Sequence, residues 1–382
     1  MPSNLKVDFV YILFVMSNSF LFSLTDSHFA HSRIAKNAMS LLERFDVADQ
    51  LPVVYFFFYG RIAWRFEPFQ VCGDKTQQAF ETSLSLGRVD VAFFCLIHAI
   101  KYAIFSGANL RSLLMEIDYY LHLLDIYKIE LARNYLLTFR ETVSLLIDSG
   151  QATSIEAKAC IGDPDDPGNK LRETVFFYKA VQCYWVGHTE RCQHFSEKCV
   201  PILGPLGQLN TCMSKFYHGK AADVTLEMDT EANSISPHLI ISNLSRQFLG
   251  LNSLNILKKK RSTKSKKGVL LALSAMRDAA ANSDWNFTNK LLLFEAEQHA
   301  ISFGKHRQTL ALYDASIASA RKSGFIHEQG LACEKAGFHC NRVEKKEKAL
   351  DYFTRARDCY EKWGSSMKVD FIQKEMNGLN GQ

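Results

Sequence analysis

Apolar residues recur along this chain with a period close to 3.6, the spacing of helices that bury one face. Over Glu344–Trp363 the apolar set is Ala349, Leu350, Phe353, Ala356, Cys359, Tyr360 and Trp363, which forms one stripe. The opposite face carries Lys345, Lys348, Asp351, Arg355, Asp358 and Lys362. Asp351 with Arg355, and Asp358 with Lys362, are spaced for attraction along a helix surface. Arg307–Lys322 repeats the pattern with Leu310, Tyr313, Ile317 and Ala320. Long apolar/polar alternation is absent, so the sequence predicts an all-α fold.

The stripes also recur as a motif: a small residue, an aromatic four positions on, and a small residue three further. Ala349, Phe353 and Ala356 fit it fully, and Thr309, Tyr313 and Ser316 fit it 40 residues earlier. Cys192, Ser196 and Cys199 form a weaker copy without the aromatic. Each copy follows a turn, at Glu344, Gly304 and Gly187, and a small residue precedes the first slot by twelve positions in two of them, Gly337 and Ala180. Small residues there let two helices of a hairpin approach closely, while the aromatic fills the groove between hairpins. On this basis Gly337 is expected to tolerate Ala but not Leu. The spacing is that of tetratricopeptide-type (TPR) repeats, whose usual period is about 34 residues. The expected architecture is therefore a TPR-like helical-hairpin solenoid, a right-handed superhelix in which stacked hairpins share a core. Residues 1–147 are expected to form N-terminal repeats, 148–170 a linker and 171–382 C-terminal repeats with a basic loop at 258–267. The linker reading rests on Asp163-Pro164-Asp165-Asp166-Pro167-Gly168, which is turn-rich and lacks the twelve-residue loop and closing Glu of a calcium site.

Composition narrows the class further. A chain of 382 residues with 47% apolar residues is too apolar to be disordered and too long for one ordinary domain. The net charge of +5 comes from Lys258, Lys259, Lys260, Arg261, Lys264, Lys266 and Lys267. Removing those seven from 45 basic residues leaves 38 against 40 acidic ones, so no broad basic surface is expected and no nucleic-acid partner. The run itself reads as a solvated loop, with a nuclear-import signal or an electrostatic contact with a polyanion as alternatives. Ten cysteines without a CxxC pair suit reduced thiols in a cytoplasmic protein. The stretch Val7 to Leu24 is apolar but interrupted by Ser17-Asn18-Ser19. It reads as a buried helix or hairpin, with a secretory signal or membrane anchor as the alternative.

Several segments resemble the helical-repeat region of large multidomain signalling proteins that combine a serine/threonine kinase-like domain, an AAA-type predicted ATPase and a sensor histidine kinase. Asn286 to Glu297 carries the resemblance, continued by Tyr313–Ile317, Ala320–Glu328, Leu331-Ala332 with Glu334, Ala336 and Phe338, and Ala349 to Gly364. Ala38–Phe45, Val54–Pro68 and Ser106-Gly107 ahead of Leu110–Leu124 are similar, so the likeness runs from Ser32 to Asp370. The resemblance implies a repeat scaffold that couples an ATPase or kinase to its regulators.

The chemistry of that family is missing from the chain. A phosphate-cradling loop needs its glycines followed by Lys and a hydroxyl, whereas Gly219-Lys220 precedes Ala221 and Gly304-Lys305 precedes His306. No kinase catalytic loop occurs. Cys183, His188, Cys192, His194 and Cys199 cluster in sequence, but the three cysteines fall at packing positions, so zinc is not expected. His28 and His31 lack the Glu of a metalloprotease helix. His327-Glu328 lacks the continuation of a phosphoacceptor site, and its Glu suits a helix start. The sequence thus predicts a non-enzymatic protein-interaction scaffold with a protein partner, no cofactor and no membrane contact. The alternative is a fragment of an ATP-dependent signalling enzyme whose catalytic domains lie outside this chain.

Overall fold

The 3.6-residue stripes become helices throughout the computed structural model, which describes residues 51–148, 171–199, 209–210, 212–220, 268–302 and 306–379. Among these residues none is in a strand, and the fold is all-α. The helices are α1 (Leu51–Phe57), α2 (Phe69–Ser85), α3 (Val89–Ser106), α4 (Leu110–Tyr127), α5 (Glu130–Ile147), α6 (Arg172–Val186), α7 (Thr189–Cys199), α8 (Asp284–Ser302), α9 (His306–Lys322), α10 (Ile326–Arg342), α11 (Lys346–Trp363) and α12 (Ser366–Leu379). Residues 212–220 and 268–282 are also helical. Residues 7–24, His28, His31, Cys160, Asp163 to Gly168, Gly304 and the basic run 258–267 lie outside the described residues.

Turns of two or three residues join α2 to α3, α4 to α5, α6 to α7 and α10 to α11, and each pair packs as a hairpin. The turn expected at Gly187 has φ +91°, and the one expected at Glu344 has φ +58°. Both are left-handed positions that end a helix by turning its last amides back on its carbonyls. The stripe of α11 is buried as its pattern required, at Ala349, Phe353, Ala356, Cys359, Tyr360 and Trp363. Leu310, Tyr313, Ile317 and Ala320 of α9 are buried likewise.

The hairpins do more than stack on their neighbours. One continuous core runs from Val54 to Met376, across the position of the 148–170 segment. Polar side chains tie the ends of the first hairpins to helices more than 200 residues later. The Gln70 amide donates to the Ser323 carbonyl at 2.9 Å. Asn109 accepts from the amides of Arg111 and Ser112 at the start of α4, and donates to the Lys362 carbonyl at 3.0 Å. Ser365, at the start of α12, donates to the Leu146 carbonyl at the end of α5. One helix among the described residues, α3, is long and apolar enough to cross a membrane, and 56% of it is buried inside the protein.

Gly337 does sit at the closest approach inside the α10–α11 hairpin, but the expected tolerance for alanine is corrected. A Cβ at 337 would lie 2.7 Å from two carbons of the Phe353 ring. Phe353 is wholly buried, so the ring has nowhere to retreat. Alanine gains about 1 kcal/mol of helix propensity over glycine, against an overpacking penalty of about 1–3 kcal/mol. Gly337→Ala should therefore lower stability by about 1 kcal/mol in urea unfolding, and Gly337→Leu by more. An unchanged midpoint for the alanine variant would contradict this packing.

Candidate functional site

The repeat positions are packing points. Ala180, Cys192, Cys199, Thr309, Tyr313, Ser316, Ala349, Phe353 and Ala356 are all at most 1% exposed, and Gly337 is buried with them. Their polar atoms are spent locally: Ser316 donates to the Asn289 carbonyl at 2.8 Å, and Thr309 Oγ1 lies 2.8 Å from His299 Nδ1. The Cys192 thiol points at the Tyr217 carbonyl and the Cys199 thiol at the Glu173 carbonyl, at 3.7 and 3.8 Å. Burial pushes the Cys183 thiol up to about 11 and the Cys199 thiol up to about 12, so both stay protonated. His188, in the turn, and His194, on α7, are exposed. Among the described residues no three His, Cys, Asp or Glu side chains are grouped to hold a metal.

Charge is concentrated instead inside the helix array. Lys290 of α8 and Glu328 of α10 are both buried and meet at 2.8 Å. Glu328 also accepts from the Asn289 amide, and Lys290 donates to the Asn286 carbonyl at 2.8 Å. The ammonium lies 4.8 Å from the Phe325 ring centre and 5.6 Å from that of Phe287. Farther along α10, Glu334 accepts from Lys368 of α12 and from the Tyr360 hydroxyl. Burial alone would raise the Glu334 carboxyl, but Lys368, Lys335 and Tyr360 outweigh it and hold the group below the usual carboxylate range. Buried pairs like these are costly to break, because the surviving partner is left charged in a medium of low dielectric.

Beside the second pair the surface opens into a groove of about 420 Å3 between the end of α6, α10 and α12. Trp185, Leu331 and Met367 contribute its apolar surface, and Phe371 lies at its edge with 38% of its area exposed. Lys335 and Lys374 add positive charge, with Asp370 opposite in sign among the lining groups. The Lys368 ammonium, 4.7 Å from the Phe371 ring centre, joins the groove to the buried pair.

His327 is buried against Trp363 and Trp185, with ring centres 5.3 and 5.9 Å away. No solvent-facing phosphoacceptor exists in that arrangement. Burial lowers its pKa to about 4, and burial likewise lowers that of His339, stacked on His306, to about 4. Sequence reasoning noticed His327-Glu328 but missed Lys290, Glu334 and Lys368. A usable signal was present: Asn286, Asn289 and Lys290 share one face of α8 at spacings of three and four.

No family model matches the chain, and none of the curated proteins matches it either.

The two histidines set an acid limit on stability. Their folded pKa values of about 4 lie below the ordinary 6.5, so between those values the unfolded chain binds more protons. Stability should therefore fall as pH drops from about 6.5 to about 4, each group contributing up to ~1.4 kcal/mol per unit. His327→Gln should flatten the slope of unfolding free energy against pH over that window. An unaltered slope in denaturant titrations would place the proton uptake elsewhere.

Proposed function

We propose that the chain is a TPR-like repeat protein, its hairpins stacked in a right-handed solenoid, that acts as a non-catalytic scaffold by holding a segment of a partner protein. The observation that carries this is the groove between α6, α10 and α12, which pairs an exposed aromatic with the exposed Lys374 and the half-buried Lys335 over an apolar floor. Helical-repeat arrays characteristically present such inter-helix surfaces to extended segments. The groove's chemistry suits an acidic segment with an apolar or aromatic anchor: the anchor meets Phe371, Leu331 and Met367, and its acids meet Lys335 and Lys374. The burial of the nine repeat positions named above supports the repeat assignment, and the sequence resemblance supports a place in signalling. Nine free thiols among the described cysteines favour a reducing compartment, hence the cytoplasm.

A second reading follows from the same resemblance: a fragment of an ATP-dependent signalling enzyme whose catalytic domains are encoded separately. A Walker loop in adjoining reading frame would favour it. The scaffold reading expects neither ATP hydrolysis nor autophosphorylation by the purified chain.

The direct test uses fluorescein-labelled peptides with a Trp or Leu anchor flanked by glutamates, against matched peptides flanked by lysines. Fluorescence polarisation should show binding of the acidic set alone. Phe371→Ala and Lys374→Glu should each weaken it about tenfold with an unchanged melting temperature, as expected for an anchor contact of roughly 1–2 kcal/mol. Equal binding of both sets, or variants that bind as the parent does, would contradict the proposal.

A further inference from the structure

A different cleft, at the other end of α6 from that groove, begins with an irregularity in the chain. After α1 the backbone widens into a π-helical turn, Phe58–Ile62, and then tightens into a 3-10 turn, Ala63–Arg65. Such turns leave carbonyls without their usual partners, and they recur at functional sites. Here the Tyr102 hydroxyl of α3 donates to the Tyr59 carbonyl at 2.6 Å and to the Gly60 carbonyl at 3.2 Å. Gly60 is required for close approach, because a Cβ there would lie 2.9 Å from Cδ2 of His98. The turn thus seats His98 against bare backbone and places Phe56, Phe57 and Arg61 on one wall of a cavity of about 440 Å3. That volume is within the range of small-molecule sites, roughly 300–1,000 Å3.

The cavity has apolar walls from Phe56, Phe94 and Phe139, and a buried amine. Lys101 is 9% exposed, and its Nζ lies 2.8 Å from His98 Nδ1. Lys290 and Lys368 each meet a buried carboxylate, whereas Lys101 has none within ion-pair distance among the described residues. Tyr178 adds its ring to the lining at 1% exposure, while its hydroxyl oxygen is closed off from the cavity. Buried charged groups are ordinarily paired, so an amine on a cavity wall that meets no carboxylate among the described residues points to an occupant.

The geometry points to a binding site for a small organic acid with a flat apolar body: its carboxylate lies between Lys101 and Arg61, and its body lies among Phe56, Phe94 and Phe139. The charged and titratable groups facing Lys101 are His98 on its own helix, Arg61 from the π turn, Cys72 on α2 and Glu173 on α6. Burial, then Lys101 and Arg61, keep His98 neutral, with its Nδ1 within hydrogen-bond distance of the amine. Burial pushes the Glu173 carboxyl up, which weakens its claim on the two cations. Burial, with Arg61 adding to it, lowers Lys101 to about 7 in the empty cleft. A bound carboxylate stabilises the ammonium form. Binding above pH 7 must therefore draw a proton onto Lys101, and affinity must fall as pH rises.

This site is independent of the peptide groove, so either proposal can fail alone. The probes are 2-naphthoate and its uncharged isostere 2-naphthamide, titrated calorimetrically into the full chain at pH 7 to 9 in buffers of different ionisation enthalpy. The expected result is naphthoate binding with proton uptake, about tenfold weaker per pH unit above 7, and little binding of the amide. Lys101→Met should keep the fold, weaken naphthoate at least tenfold and abolish the proton uptake. Phe94→Ala should weaken binding severalfold while leaving the uptake intact. Equal affinity for acid and amide, binding without proton uptake, an unaffected Lys101→Met variant, or no binding at millimolar naphthoate would each overturn the proposal.

Discussion

One side-chain amide joins α2 to α8. Asn286, wholly buried at the start of α8, accepts from the Phe69 amide at 3.0 Å. It also donates to the carbonyls of Trp64 and Glu67 at 2.9 and 2.8 Å. Phe69 is the first residue of α2, whose preceding residue, Pro68, offers no side-chain cap. A helix start buried without such a partner would leave its first amides orphaned. Asn286 thus supplies a cap across 217 residues of sequence, and it takes up carbonyls at the end of the irregular 58–67 segment. Trp64 and Phe69 pack on Phe287, the next residue of α8, and so bring apolar burial to the same point.

The rest of the molecule hangs from that junction. One turn along α8, Lys290 carries the buried pair with Glu328 and thereby fixes α10. Glu334, two turns further on α10, fixes α12 through Lys368. These pairs offer modest net stability but strong specificity, because any other packing would strand a charge. Their effect is to hold α6 between two surfaces. Its end borders the groove with α10 and α12, and its Glu173 and Tyr178 border the Lys101 cleft.

What could be read from the sequence follows a physical divide. The stripe of α11, the buried small residues of the recurring sequence motif and the turns at Gly187 and Glu344 are local matters, governed by neighbours within one hairpin. Periodicity reports those faithfully. Gly337 was legible as a close approach, but how tightly the Phe353 ring presses on it depends on helix separation, which no spacing encodes. Asn286 and Lys290 left only the polar face of α8 as a trace, and Lys368 left none, since a polar residue on a helix ordinarily faces water and their long-range partners lie 34 to 222 residues away. Lys101 left a fainter trace, as the one cation within the apolar run from Val91 to Phe105.

Hydrogen exchange on the full chain, read by mass spectrometry over the first turn of α2, tests this junction most directly. Its amides should be protected in the parent protein and open together with α8. Asn286→Ala leaves the Phe69 amide and two carbonyls unpaired, a loss of about 1–3 kcal/mol, and should speed exchange there roughly ten- to hundredfold. Exchange at Phe69 that is indifferent to Asn286→Ala, while α8 itself loosens, would contradict a fold in which α2 and α8 hold each other.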